Sequence, residues 1–283
     1  MTDDVTQAGA VTGISLDPLA MQAYYQLGKE ADRLDPATRG WLEFVRTQEI
    51  LLRALPPAPA VVADIGGGPG RYSLWLAGLG YQVVHRDLMP LHVQQLSAAI
   101  PPGAVIESGV GDARDLDLDG ASVDALLLLG PLYHLEQEAD RLLALREAGR
   151  VVRPGGPVFA AAISRWAPRL DGVLRGRLYE QYPHMPEMVE VAERTGVLEP
   201  LYAGSFCGYT HRPAELAAEV AAAGLEVTDL VSVEGAATLL TDLQDRMADP
   251  VAWQIVLSAA RELERVPELL GIGPHLVATA RRP

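Results

Sequence analysis

The stretch Val61-Val62-Ala63-Asp64-Ile65-Gly66-Gly67-Gly68-Pro69-Gly70 runs from a short apolar segment straight into glycines, and a helical pattern starts near Arg71. A buried strand that feeds a glycine turn and then a helix opens a βαβ unit. Glycines there let the backbone approach a ligand closely, and ligands of parallel sheets sit beyond the carboxyl ends of the strands. Gly66, Gly68 and Gly70 give G-x-G-x-G, not the G-x-G-x-x-G of the dinucleotide fingerprint, and Asp64 stands two positions ahead of the first glycine. Three such glycines are wasteful in a plain turn, so a cofactor site is implied.

Outward from this turn, short apolar runs at 60–65, 81–85, 104–107, 123–129 and 158–163 alternate with helical stretches. Two later strands are expected at 225–233 and 275–280. The alternation predicts an α/β fold: a doubly wound, Rossmann-like, mostly parallel seven-stranded sheet covered on both faces. Upstream, Trp41, Phe44, Val45, Leu51 and Leu52 recur at helical spacing, and Leu55-Pro56-Pro57-Ala58-Pro59 ends that helix. Residues 1–56 are therefore read as a helical N-terminal lid and 57–283 as the core. Aperiodic stretches at about 164–211 and 234–273 are read as cap insertions.

Composition narrows the function. The 283 residues carry a net charge of −14, with 22 Arg, a single Lys (Lys29), one Cys (Cys207) and no Asn. One thiol excludes disulfides within the chain, multi-cysteine zinc sites and iron–sulfur clusters, and a reducing cytoplasm suits it. The acidic balance disfavours nucleic acid, because no basic patch stands out against it. The start Met1-Thr2-Asp3-Asp4 lacks the positive, then apolar, pattern of a secretory signal, and the longest stretch free of charged residues, Leu88 to Ile106, is broken by three prolines. The expected partner is a small molecule, bound by a monomer or a homodimer away from membranes.

With these residues in view, the sequence resembles the class I S-adenosylmethionine-dependent methyltransferases, specifically the small-molecule type related to quinone-biosynthesis enzymes. Asp87 closes the second strand, where the family places an acidic residue on the ribose hydroxyls, and Leu88 follows it. Gly111-Asp112-Ala113 follows the third strand, where the family's acidic residue receives the adenine amine. The resemblance thus implies S-adenosylmethionine as cofactor, held by Asp64, Gly66, Gly68, Gly70, Asp87, Leu88, Asp112, Ala113 and Gly130, with S-adenosylhomocysteine as its product. The loop Gly130-Pro131-Leu132-Tyr133-His134-Leu135 would face the transferred methyl. Gly130 stands where the amine-methylating branch carries Asn or Asp, which argues against DNA adenine or protein glutamine as acceptor.

Methyl transfer from a sulfonium needs alignment and exclusion of water more than it needs a base. His134 is the first candidate for an optional general base, because imidazole titrates near neutral pH, and Tyr133 is a candidate pocket wall or sulfonium contact. In the N-terminal segment Tyr24, Tyr25, Arg33 and Arg46 are candidates to close the pocket, with Arg46 able to pair the cofactor's methionine carboxylate. Tyr24, Tyr182, His184, Tyr209, His211 and Glu234 are candidate substrate contacts. No metal is expected: Asp115-x-Asp117-x-Asp119-Gly120 imitates a calcium loop but ends at Leu126 in place of Glu. Cys207 reads as an incidental buried thiol. Two other classes compete: a nicotinamide-dependent oxidoreductase, which lacks support from the glycine spacing, and a non-catalytic binding module, which the glycine turn does not separate from an enzyme.

Overall fold

A computed structural model describes Tyr25 and residues 29–283. The central strands β1 (Val61–Ile65) and β4 (Ala125–Leu128) are almost wholly buried, as expected for strands covered on both faces. β1 pairs in parallel with β4 and with β2 (Gln82–Asp87), and β2 pairs in parallel with β3 (Ile106–Val110). On the other side β4 pairs in parallel with β5 (Pro157–Ser164). Two further strands complete that flank: β9 (His275–Arg281) runs antiparallel to β5, and β8 (Glu226–Ser232) runs antiparallel to β9. The core order is thus β3-β2-β1-β4-β5-β9-β8, with β9 alone reversed, which matches the expected seven-stranded, mostly parallel sheet.

Alternating side chains of these strands build two apolar layers. Ala63, Ile65, Leu126 and Leu128 face one layer, closed by Ala144 and Leu145 of the helix Glu138–Val151 and by Leu216 and Val220 of the helix Pro213–Ala222. Val62, Val83, Leu127 and Phe159 face the other, closed by Leu76 of the helix Arg71–Gly78 and by Phe44 and Leu51 of the helix Gly40–Leu52. The last of these helices belongs to the stretch read as a lid, yet it is a full member of the second layer.

The stretch 164–211, aperiodic in sequence, adds two short strands to the sheet: β6 (Val197–Leu198) and β7 (Gly208–His211). β7 lies parallel to the last two residues of β5, pairing Ile163 with Thr210 and Ser164 with His211. Segments of two and four residues are too short to show a period, so the sequence does not announce them. A buried ion group holds this edge. Arg141 forks onto Glu219 at 2.7–3.1 Å, His211 lies 3.1 Å from the same carboxylate, and the Arg141 guanidinium covers the Tyr209 ring at 3.7 Å. Despite its burial, these two partners hold the Glu219 carboxyl down to about 2. In the stretch 234–273, the helix Pro250–Leu263 is capped by Asp249, which accepts the amides of Val251 and Ala252. Among the described residues no helix is long and apolar enough to cross a membrane.

Candidate active site

The strands β1 to β4 end along one edge of the sheet, and the loops that leave them surround a cavity of about 370 Å³. At the β1 turn Gly66 has φ +67°, and a Cβ there would come within 2.6 Å of the Pro131 ring. Gly68 has φ +57° and faces open space, with Glu30 Cγ its nearest neighbour at 3.9 Å from the position of a Cβ. Glycine is required at the first position by both backbone and space, and at the second by backbone conformation. The turn is tied down from behind: Gly66 N–H donates to the Arg86 carbonyl (2.6 Å), and Gly68 N–H donates to Asp87 Oδ2 (2.8 Å). The His85 ring, with Nε2 3.0 Å from the Gly68 carbonyl, lies beneath it.

Tyr25, Asp64, Gly66, Gly68, Asp87, Leu88, Asp112, Ala113, Gly130, Tyr133 and His134 all line this cavity. Asp64 is buried; its Oδ2 accepts the Ser73 hydroxyl (2.6 Å), whereas Oδ1 has no partner among the described residues. Burial pushes the Asp64 carboxyl above its ordinary value. Arg71, at the start of its helix, also lines the cavity, and its buried Nε likewise lacks a partner. Two unpartnered buried polar atoms of opposite charge at one glycine turn are costly unless a ligand completes them, at about 1–3 kcal/mol for each. They fit a zwitterion, such as the amino-acid end of S-adenosylmethionine.

Asp87 suits a hydroxyl-bearing ligand with restricted capacity. Its Oδ1 accepts Met89 N–H at 2.8 Å and lies 3.0 Å from His92 Nδ1, while Oδ2 accepts Gly68 N–H and retains a further lone pair. Although burial opposes the charge, these contacts keep the Asp87 carboxyl below its ordinary range. Asp112 is more committed. Arg114 forks onto both of its oxygens, with Nη2 to Oδ2 at 2.7 Å and Nε to Oδ1 at 3.1 Å, and this pairing lowers the carboxyl. An amine donated to Asp112 has to share it with Arg114, which itself lines the cavity.

Several expected contacts lie elsewhere. Arg46 faces away from the cavity: fully buried, it binds Glu49, Glu264 and the Val233 carbonyl, because its helix turns that face toward β8 and the helix Pro250–Leu263. Gly70 (φ +86°) does not line the cavity but packs against Leu96 as the helix entry. Tyr182 stacks on Tyr202 at 5.3 Å, and exposed His184 precedes the helix Met185–Thr195. Tyr209 and His211 belong to the buried ion group, and Glu234 is buried against His275. None of these five lines the cavity. Tyr24 lies outside the described residues.

His134 does not behave as a base poised at neutral pH. Its Nε2 lies 2.6 Å from the Tyr25 hydroxyl, and Tyr133 and Phe206 pack edge-on or tilted against its ring. Burial, and to a lesser degree His92, lowers its pKa to about 4 despite the nearby Asp87 carboxylate. The ring is neutral at pH 7 and serves as a hydrogen-bonding wall. Glu30, Arg71, His92 and Arg114 line the cavity without standing out in the sequence as site residues, and so does Cys207, which reads there as an incidental thiol. Arg71 had a usable signal, since it opens the helix after the glycine turn; Cys207 had none, because the β5 to β7 pairing brings it there.

A family model described as a methyltransferase domain matches residues 63–160. An uncharacterized methyltransferase of Mycobacterium tuberculosis is 35% identical over 102 residues, 36% of this chain and 39% of that protein. The chain thus spans well under half the length of that relative. A ubiquinone biosynthesis O-methyltransferase of Azorhizobium caulinodans is 29% identical over 229 residues, 77% of this chain and 81% of that protein. Among solved structures, a SAM-dependent methyltransferase of Methanosarcina mazei aligns with a TM-score of 0.56 and 19% identity, covering 82% of this chain and 96% of that one.

Two outcomes are expected. Arg46→Ala loses roughly 3 kcal/mol of stability in urea unfolding by stripping a buried ion group, while the affinity for S-adenosylmethionine stays that of the wild type. A parallel loss of cofactor affinity without destabilisation would return Arg46 to the pocket. For His134, the native pKa of about 4 lies below the unfolded value near 6.5. The unfolded chain therefore binds the extra proton across that window, and stability falls as pH drops through it. The wild type loses more stability between these two pH values than His134→Gln does, as thermal melts would register.

Proposed function

We propose a methyl transfer for this chain, which belongs to the class I S-adenosylmethionine-dependent methyltransferases: the methyl passes by in-line displacement to an oxygen, nitrogen or carbon of a small metabolite. The observation that carries the cofactor assignment is the pair of unpartnered buried atoms, Asp64 Oδ1 and Arg71 Nε, beside the glycine turn. When bound, the cofactor supplies a methyl group already activated on a sulfonium. Asp64 accepts the ammonium of the amino-acid end, while Arg71, together with Arg33, faces its carboxylate. Asp87 Oδ2 accepts from a ribose hydroxyl, and Leu88 and Ala113 flank the adenine.

Tyr133 and His134 form the wall on the acceptor side, with Cys207 closing it from the β7 segment. A neutral ring with a pKa of about 4 orients an acceptor but is a weak proton acceptor. The acceptor this site suits is therefore one that has already given its proton to solvent near neutral pH, the enolate of a 1,3-dicarbonyl compound or a phenol acidified by electron-withdrawing groups, and the rate gain comes from alignment and from exclusion of water. The chain's charge of −14 speaks for a small molecule over a polynucleotide, and the single thiol for the cytoplasm.

Incubation with S-adenosylmethionine and a panel of phenols and enols, or with host metabolite extract, tests the proposal. Release of S-adenosylhomocysteine together with a product heavier by one methylene is expected. Tight cofactor binding without any such product across extract and panel would reduce the chain to a binding module.

A further inference from the structure

His275 opens β9 at the sheet edge that bears the cavity, because β9 runs against its neighbours. Its Nδ1 lies 2.6 Å from Glu234 Oε1 and 3.7 Å from Glu43 Oε2. Glu43, on the helix Gly40–Leu52, is bound in turn by Arg33 Nη1, and Arg33 Nε binds Glu30 at 2.7 Å. Arg33 lines the cavity, as does Tyr72, the titratable side chain that the helix Arg71–Gly78 brings close to both carboxylates. The N-terminal segment, its helix, the end of β8 and the start of β9 are thus joined by one alternating row of charges that ends at the cofactor cavity.

Glu43, Glu234 and His275 stand close enough to share a cation, with ligand atoms all within 4.8 Å of one another. The contacts already made favour a proton over a metal: His275 Nδ1 stands at hydrogen-bond distance from Glu234 Oε1, 2.6 Å, and Arg33 Nη1 already occupies Glu43 Oε2, so an ion would have to displace both.

We propose that His275 is a positioning residue for the cofactor: as an imidazolium it fixes Glu43, and Glu43 aims the Arg33 guanidinium at the carboxylate end of S-adenosylmethionine. This rests on the methyltransferase reading above. Burial opposes a charge on His275, yet Glu43 and Glu234 outweigh it and raise its pKa to about 9. Burial likewise opposes the Glu43 charge, and Arg33 and His275 together hold that carboxyl below its ordinary value. Burial opposes the Arg33 charge too, yet Glu43 and Glu30 raise it well above its ordinary value. Without the imidazolium, Glu43 and Glu234 repel each other, and Glu43 shifts from the place where it aims Arg33 at the cavity.

Calorimetric titration of S-adenosylhomocysteine into wild type, His275→Gln and His275→Lys between about pH 7 and pH 10 decides the matter. The wild type binds about tenfold more tightly than His275→Gln at neutral pH, the size of a coupling within one charge network. That ratio shrinks toward one as the wild-type imidazole loses its proton, and taking the ratio cancels the ligand's own amine. His275→Lys keeps its cation and stays tight to higher pH. Equal affinities at neutral pH, or a ratio that does not change with pH, overturn the proposal. Affinity lost on chelation and restored by zinc overturns it in favour of a metal. If His275→Gln does not fold, the wild-type imidazole followed by NMR decides: saturation with ligand raises its pKa, and an unmoved titration contradicts the proposal. A wild type that binds no ligand at any pH removes the methyltransferase reading itself, whereas a binding wild type with a flat ratio removes this inference alone.

Discussion

The approach of the backbone at Gly66 to Pro131 is the constraint on which the site depends. The glycine turn that ends β1 is pressed against the loop that ends β4, with no room for a side chain between them. This contact fixes the distance between the glycine turn and the Tyr133–His134 wall, and so sets the depth of the cavity. The Gly68 amide then fixes Asp87 to the same turn. Three strand ends are thereby tied together, by the close approach of Gly66 to the Pro131 ring and by the Gly68 amide on the Asp87 carboxylate. A displacement reaction needs this rigidity, since its rate depends on alignment.

Around that fixed centre the polar groups divide by whether their bonding is complete. Arg46 with Glu264, and Arg141 with Glu219 and His211, are closed groups that brace helices against the sheet. Asp64 and Arg71 at the turn are incomplete, and both border the cavity. Buried polar atoms are seldom left unpaired, so the incomplete ones mark where a ligand belongs. His134 occupies an intermediate place, bonded to Tyr25 yet pressed into a neutral state by burial.

Much of this was legible from local patterns. The strands were visible as apolar runs because central parallel strands are buried on both faces, and Asp64, Asp87 and Asp112 were recognisable because each stands at a strand end. What escaped depended on distant contacts. Arg33 and Arg46 look alike in sequence; only the position of Glu264, far along the chain, shows that Arg46 is turned away. The role expected of His134 rested on the solution behaviour of imidazole, which the packing of Tyr25 and Phe206 overrides. Tyr209 and His211 looked like free polar residues in a loop but lie in β7, a strand too short to announce itself.

The most direct test of the account is a titration of S-adenosylmethionine and of NAD into the wild type and into Gly66→Ala. Saturable binding of S-adenosylmethionine at one site per chain is expected, lost in Gly66→Ala while the fold persists, with no binding of NAD. Binding of NAD in place of S-adenosylmethionine, or an unchanged affinity when Gly66 gains a methyl group, would contradict it.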